Sequence, residues 1–516
     1  MTVKIIRGGI FSCLLTCYLP AIGSEAYVPP LQPGPFNADA ASLQRFRTPD
    51  WFRDAKFGIW SHWGPQAVPR QGDWYARNMY DEKTAQYRHH LSQYGHPSKS
   101  GYKDIIPWWK AERFDPDALM ALYVKAGAKY FVSMGVHHDN FDLWNSRYQS
   151  WNAVNMGPRR DIVGAWQQAA KKAGLPFGVS EHLGYSYGWF AMSHGADKSG
   201  PMAGVPYDGN DPAYEELYHP KHNEAMYTTP NLYATNPGWH ERWFKRISDL
   251  IDNYHPDLLY SDGGIPFGVV GRTLVANFYN GNMAAHGGKL TAVYTHKNLE
   301  HSGEFIAEAG VQDVERGALN GISALPWQTD TSIGDWFYNE NSGYKSTSEI
   351  IHTLADVVSK NGNLLLNVVQ YADGSLPPEP RRFLEEMALW MGVNGEAIYG
   401  TRPWKVFGEG PTQPAGGHFS EGAAYTSQDI RFTAKGNVVY AITLGVPAKQ
   451  VKIASLGKQA SYAGGAIRGV HLLGNNEELT WTQRDDALVV ALPASLPTAH
   501  SSALKIELTT AQESER

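Results

Sequence analysis

From Lys56 to Val369 the chain repeats one hydrophobic rhythm. A short run of aliphatic, β-branched and aromatic residues ends in polar groups, and a longer stretch with helical spacing follows. The short runs are "KFGIWSHWG" from Lys56, "KYFVSMGVHHD" from Lys129, "PFGVSEHLG" from Pro176, "PDLLYSDGG" from Pro256, "LTAVYTH" from Leu290 and "NLLLNVV" from Asn363. Helices are predicted at Asp115 to Gly127, Asp161 to Gly174 and Trp239 to Tyr254, each opening near a capping or turn residue and closing near Gly or Pro. Alternation of β and α elements over about 350 residues predicts a parallel (β/α)8-like TIM barrel, whose chemistry gathers at the C-terminal ends of the strands.

The rhythm changes after "WMGVNGEAIYGTRPW", which ends at Trp404. From about Phe419 the apolar residues alternate in short runs, "NVVYAITLG", "VKIASL", "GVHLLG", "ALVVALP" and "ALKIELT", separated by turn residues. This period of two predicts a C-terminal antiparallel β-sandwich of about 100 residues. The organisation expected is therefore a leader over residues 1–25, a catalytic barrel over 26–404 and a β-sandwich over 405–516. With no repeat and no low-complexity linker, the two folded domains are expected to pack closely.

The leader reading rests on Lys4 and Arg7, an apolar run from Ile10 to Leu19, Pro20 and small residues from Gly23 to Ala26. That is the order of a secretory signal, too short for a membrane span, so export without stable membrane insertion is expected, to the periplasm or beyond the cell. Cleavage between Ala21 and Ala26 would remove both cysteines, Cys13 and Cys17, and leave stability to core size alone.

Composition narrows the class further. With 42% hydrophobic and 19% charged residues the chain has an ordinary globular balance. A formal net charge of -6 without a basic run gives no footprint for nucleic acid. The 17 Trp and 28 Tyr exceed what a core needs, and aromatic rings suit the apolar faces of sugars.

Titratable groups end four of the predicted strands: His62, the pair His137 and His138, the pair Glu181 and His182, and Asp262. A lone His62 would read as a hydrogen-bonded core residue. Four such ends at one rim read as a site, because burying them without function costs several kcal/mol of desolvation. No metal is expected: adjacent residues leaving a strand point to opposite faces, which separates the imidazoles of His137 and His138. At Asp262 a strand would aim a carboxylate outward, with Gly263 and Gly264 leaving room for a ligand.

Seven motifs in order carry a resemblance: "KFGIWSHWGPQAVP", "DWYARNMY", "HHDNFDLWNS", "DLLYSDGG", "PWQTDTSIGDWFYN", "VSKNGNLLLNV" and "WMGVNGEAIYGTRPW". Over Pro49 to Trp404 the chain resembles the retaining α-L-fucosidases of glycoside hydrolase family 29. The resemblance implies release of terminal L-fucose from oligosaccharides or glycoconjugates, without a cofactor. It makes Asp262 the nucleophile, gives His62, His137 and His138 the fucose hydroxyls, and makes Asp73, Trp74 and Tyr75 part of the pocket. For the fucose methyl group Phe57, Trp60, Trp144 and Trp327 are candidates.

The proton donor is less fixed by the resemblance. Glu315 in "DVERG" is preferred over Glu304 and Glu308; pairing of Glu315 with Arg316 would disqualify it by lowering its pKa. Three positions depart from the family pattern: Asp73 and Gln328 where relatives carry glutamate, and Asn140 where a glycine is common. Two further readings therefore remain at this point, a sugar-binding barrel with weak hydrolysis and a retaining glycosidase acting on a related galacto-configured sugar.

Overall fold

The computed structural model describes residues 26–228, 231–460, 462 and 466–509; the leader and both cysteines lie outside the described residues. Eight parallel strands close into a barrel in chain order. They are β1 (Phe57–Ser61), β2 (Tyr130–Val136), β3 (Phe177–Glu181), β4 (Leu258–Ser261), β5 (Val293–Lys297), β6 (Val311–Asp313), β7 (Trp327–Ser332) and β8 (Gly362–Asn367). The six hydrophobic runs all became strands. β6 and β7 complete the ring, the first only three residues long and the second built of "WQTDTS".

The principal helices are α1 (Pro116–Lys125), α2 (Ile162–Lys172), α3 (Pro237–Tyr254), α4 (Val269–Ala285), α5 (Thr347–Ser359) and α6 (Pro378–Asn394). Asp115, Asp161 and Asn236 cap the first three by accepting a backbone N–H at the third residue, as short polar side chains do. No helix separates β5 from β6 or β6 from β7, so the outer ring is open on that side. Among the described residues no helix is long and apolar enough to cross a membrane.

The C-terminal domain pairs a five-stranded sheet, in the order β13 (Ile467–Leu472), β16 (Ala503–Leu508), β11 (Val438–Thr443), β10 (Ile430–Lys435) and β9 (Arg402–Glu409), with a three-stranded one, β12 (Gln450–Ile453), β15 (Leu488–Ala491) and β14 (Trp481–Gln483). Alternation along a strand sends one face each way. Ile430, Phe432, Val439 and Ala441 fill the sandwich core, while Tyr440 and Ile442 join the barrel core. Between these faces Arg431 pairs with Asp356 of α5 at 2.6 Å, and Thr433 donates to the Ala397 carbonyl at 2.7 Å. The close packing read from the missing linker thus has a definite interface.

Candidate active site

A cavity of about 370 Å³ opens at the C-terminal ends of the barrel strands. Its lining includes Trp60, His62, Asp73, Trp74, His137, His138, His182, Asp262, Lys297, Glu315, Asp330 and Phe419. The two-residue period of a strand explains several of these. Trp60 of β1 and His62 just past its end enter the cavity together, as do Tyr260 of β4 and Asp262 just past its end.

His137 and His138 enter the same cavity, with ring centroids 4.3 Å apart. The opposite-face expectation fails because β2 ends at Val136 after a register shift between Met134 and Val136, and a turn rather than a strand carries the two rings. The nitrogens of His62, His137 and His182 lie within 4.8 Å of one another, near enough to share a cation. Their hydrogen bonds make them a mixed set instead. The Gln66 amide donates to His137 Nδ1 at 3.0 Å, its orientation fixed because Gln66 Oε1 accepts the Ala76 N–H, so Nε2 carries the His137 proton. His138 donates from Nδ1 to the His182 carbonyl at 2.6 Å, which leaves Nε2 an acceptor. Buried His62 Nδ1 and His182 Nε2 have no hydrogen-bond partner among the described residues. Donors, acceptors and orphaned nitrogens side by side suit hydroxyl groups, each of which both gives and takes a hydrogen bond.

Burial holds the imidazoles of His62, His137 and His138 neutral. It pushes His62 and His137 well below the usual histidine range, with neighbouring histidines adding to the effect, and lowers His138 to about 4 despite the Asp262 carboxylate. Asp73 moves the opposite way: burial, then the Asp335 charge, raises its carboxyl well above the ordinary range. Asp73 Oδ1 accepts the Trp74 N–H at 2.8 Å and stands 3.7 Å from His137 Nε2.

Lys297, at the end of β5, organises the charged part of the cavity. Its ammonium, 1% exposed, lies 2.8 Å from Asp262 Oδ1, 2.6 Å from Glu315 Oε2 and 3.8 Å from Asp330 Oδ2. The Asp262 and Glu315 oxygens on it are therefore at most about 5.4 Å apart, the 2.8 and 2.6 Å contacts laid end to end. Burial would raise Asp262, but Lys297, and after it His182 at 3.2 Å, overcome it and hold the carboxyl well below the ordinary range. Glu315 is raised: burial, with Asp330 and Asp262, outweighs the pull of Lys297. Arg316 does not pair with Glu315; it meets Glu421 at 3.1 Å.

The other expected residues lie elsewhere. Tyr75 does not line the cavity: Trp74 adopts φ 61, a short helix starts at Tyr75, and the Tyr75 hydroxyl meets His90 Nδ1 at 2.8 Å. Glu304 is held through both oxygens by Arg272 at 2.6 Å, and Glu308 faces Arg47 at 3.8 Å away from the cavity. Glu181 points outward to Ser261 and Trp243. Gln328 is buried on Asp313 and Tyr130, and Asn140 ties Arg246 to the segment at 216–217. Of the aromatics proposed for a methyl group only Trp60 lines the cavity; Phe57, Trp144 and Trp327 are core. Gly263, at φ 124, makes room for protein: a Cβ there would meet the hydroxyls of Tyr185 and Tyr233 at 2.5 Å.

Lys297, Asp330, Tyr185, Trp336 and Phe419 escaped the sequence reading. The one available signal was Lys297, a cation closing the apolar run "LTAVYTHK" where a strand should end.

A barrel rim holding two carboxyl groups on one ammonium, beside buried histidines, is the arrangement of a hydrolase of sugars. Residues 26–396 match the α-L-fucosidase family and residues 424–507 its C-terminal domain, so this chain belongs to the α-L-fucosidases, a glycoside hydrolase family. Human tissue α-L-fucosidase is 28% identical over 498 residues, covering 94% of this chain and 93% of its own. Thermotoga maritima α-fucosidase in complex with a mechanism-based inhibitor is 26% identical at TM-score 0.70, covering 92% of this chain and all of that one. The same enzyme in complex with fucose superposes at TM-score 0.67 over 91% of this chain. The activity is α-L-fucosidase and the substrate a fucosylated glycan.

Proposed function

We propose that the chain releases terminal L-fucose with retention of configuration, Asp262 acting as nucleophile and Glu315 as acid and then base. The observation that carries this reading is the shared Lys297, which keeps the two carboxyl oxygens within about 5.4 Å. This upper bound lies below the about 6.5 to 9.5 Å that inversion needs to admit a water, and retaining glycosidases hold the groups about 5 to 5.5 Å apart. Opposite pKa displacements support the roles: a carboxylate held ionised attacks, and a carboxyl pushed upward donates.

In the first step an Asp262 oxygen bonds to the anomeric carbon while the bond from that carbon to the glycosidic oxygen breaks and the Glu315 proton passes to the departing oxygen. In the second, Glu315 takes a proton from water, the hydroxide oxygen bonds to the anomeric carbon, and Asp262 leaves as carboxylate. His62, His137, His138 and His182 hold the sugar hydroxyls, with Asp73 as a further partner. The Thermotoga maritima relative, bound by a mechanism-based inhibitor, supports the same course.

Proton NMR of the first product tests this. Retention gives α-L-fucose first, with slow mutarotation to β; β-L-fucose first overturns it. We further propose export, supported by the order Lys4 and Arg7, apolar run, small residues. A mature N-terminus between residues 21 and 27 is the expected finding, and an intact Met1 on the secreted or periplasmic protein would contradict it.

A further inference from the structure

Phe419 stands out in the cavity lining because it comes from the C-terminal domain. It lies in the long connection between β9 and β10, which leaves the sandwich and docks on the barrel segment after β6. The docking is a backbone ladder. Gly417 N–H donates to the Ala318 carbonyl at 2.8 Å, Phe419 N–H to Glu315 at 2.8 Å and Glu421 N–H to Arg316 at 2.9 Å. His418 Nδ1 accepts the Glu315 N–H at 3.0 Å. The Glu421 carboxylate closes the attachment on Arg316 at 3.1 Å, Lys345 at 2.7 Å and Thr331 Oγ1 at 2.7 Å.

So anchored, the segment holds Phe419 in an unusual state. Its backbone has φ 56, a region a bulky residue rarely occupies, and the residue is 64% exposed where it lines the cavity. An apolar ring kept outward on a strained backbone that its surroundings over-determine points to a contact made with something else. Tyr227, on the same cavity, repeats the pattern with φ 66 and 62% exposure, its ring 6.4 Å from Trp74.

The position of Glu315 says what that contact is. A proton donor must reach the oxygen between fucose and the rest of the glycan, so the leaving sugar lies on the outer side of the donor. Phe419, whose backbone N–H donates to the Glu315 carbonyl, lines the same cavity as the donor and is exposed there. We infer that Phe419, delivered by the sandwich domain, is the platform on which the leaving-group sugar stacks, making the C-terminal domain part of substrate selection. This rests on the assignment of Glu315 as donor, and on neither the stereochemistry nor the identity of the nucleophile.

The test compares leaving groups. Wild type, Phe419→Ala and Phe419→Trp are assayed on an α-L-fucosyl disaccharide and on α-L-fucosyl fluoride, whose leaving group offers no face to stack and needs little protonation. Phe419→Ala should lose about tenfold in kcat/KM on the disaccharide, mostly through KM, stay within about twofold on the fluoride, and be restored by Phe419→Trp. Equal losses on both substrates, or none on the disaccharide, overturn the inference. The ratio is blind to retention or inversion, so failure of the retaining reading would show separately in the NMR experiment.

Discussion

The Lys297 ammonium sits 2.8 Å from the Asp262 carboxylate, fully enclosed, and through it Asp262 is electrostatically tied to Glu315. Each carboxyl responds to the same cation, but burial and neighbouring charges dispose of it differently: Asp262 ends below the ordinary range and Glu315 above it. One lysine thus sets the spacing of the pair, and burial with the neighbouring charges sets their opposite ionisation.

Lys297→Met removes a charge that lowers both carboxyls. The nucleophile must be ionised and the donor protonated, so the acid and basic limbs of the kcat/KM profile both move to higher pH, the acid limb by about 1 to 3 pH units. A pH profile on an aryl fucoside reads this; an unmoved acid limb would separate Lys297 from the nucleophile.

Asp262→Gly should reduce turnover by at least about a thousandfold, since the covalent step is lost. Azide fits the space vacated and should restore product as the glycosyl azide of inverted configuration, detected by NMR.

Glu315→Gln and Asp73→Asn distinguish the two raised carboxyls of the cavity. Loss of the proton donor should cost about 10² to 10⁴ on a glycan and far less on an activated aryl fucoside. Asp73, held largely protonated by burial, is mimicked by an amide, and its variant should lose less and equally on both substrates. A leaving-group dependence in Asp73→Asn alone would exchange the roles.

Asp356 tests the seam between domains. It faces Arg431 of the sandwich at 2.6 Å and Lys360 at 2.7 Å, all nearly fully buried. Asp356→Asn leaves two buried cations without a counter-charge and should destabilise by about 3 to 5 kcal/mol in chemical denaturation. A change below about 1 kcal/mol would mean water reaches the seam.

The barrel was legible because buried parallel strands read as continuous apolar runs, and Asp262 and His62 followed from their ends. β7 was missed as a strand because its inward face carries Gln328 and Asp330, hydrogen-bonded to Tyr130 and Tyr260 across the barrel, which no apolar pattern reveals. The pairing of His137 with His138 was misjudged because strand alternation stops at Val136. Tyr75 looked like Trp74's partner until a left-handed residue turned it away. Phe419, read as the start of the sandwich, reaches the cavity through contacts about 100 residues distant in sequence, beyond any local signal.

The most direct test is to trap the covalent intermediate. The wild-type enzyme, treated with 2-deoxy-2-fluoro-α-L-fucosyl fluoride, digested and sequenced by mass spectrometry, should carry one fluorofucosyl group on the peptide containing Tyr260 to Gly264, at Asp262. A label on any other carboxylate, or inactivation without a covalent adduct, would contradict the assignment of Asp262 and the double displacement built on it.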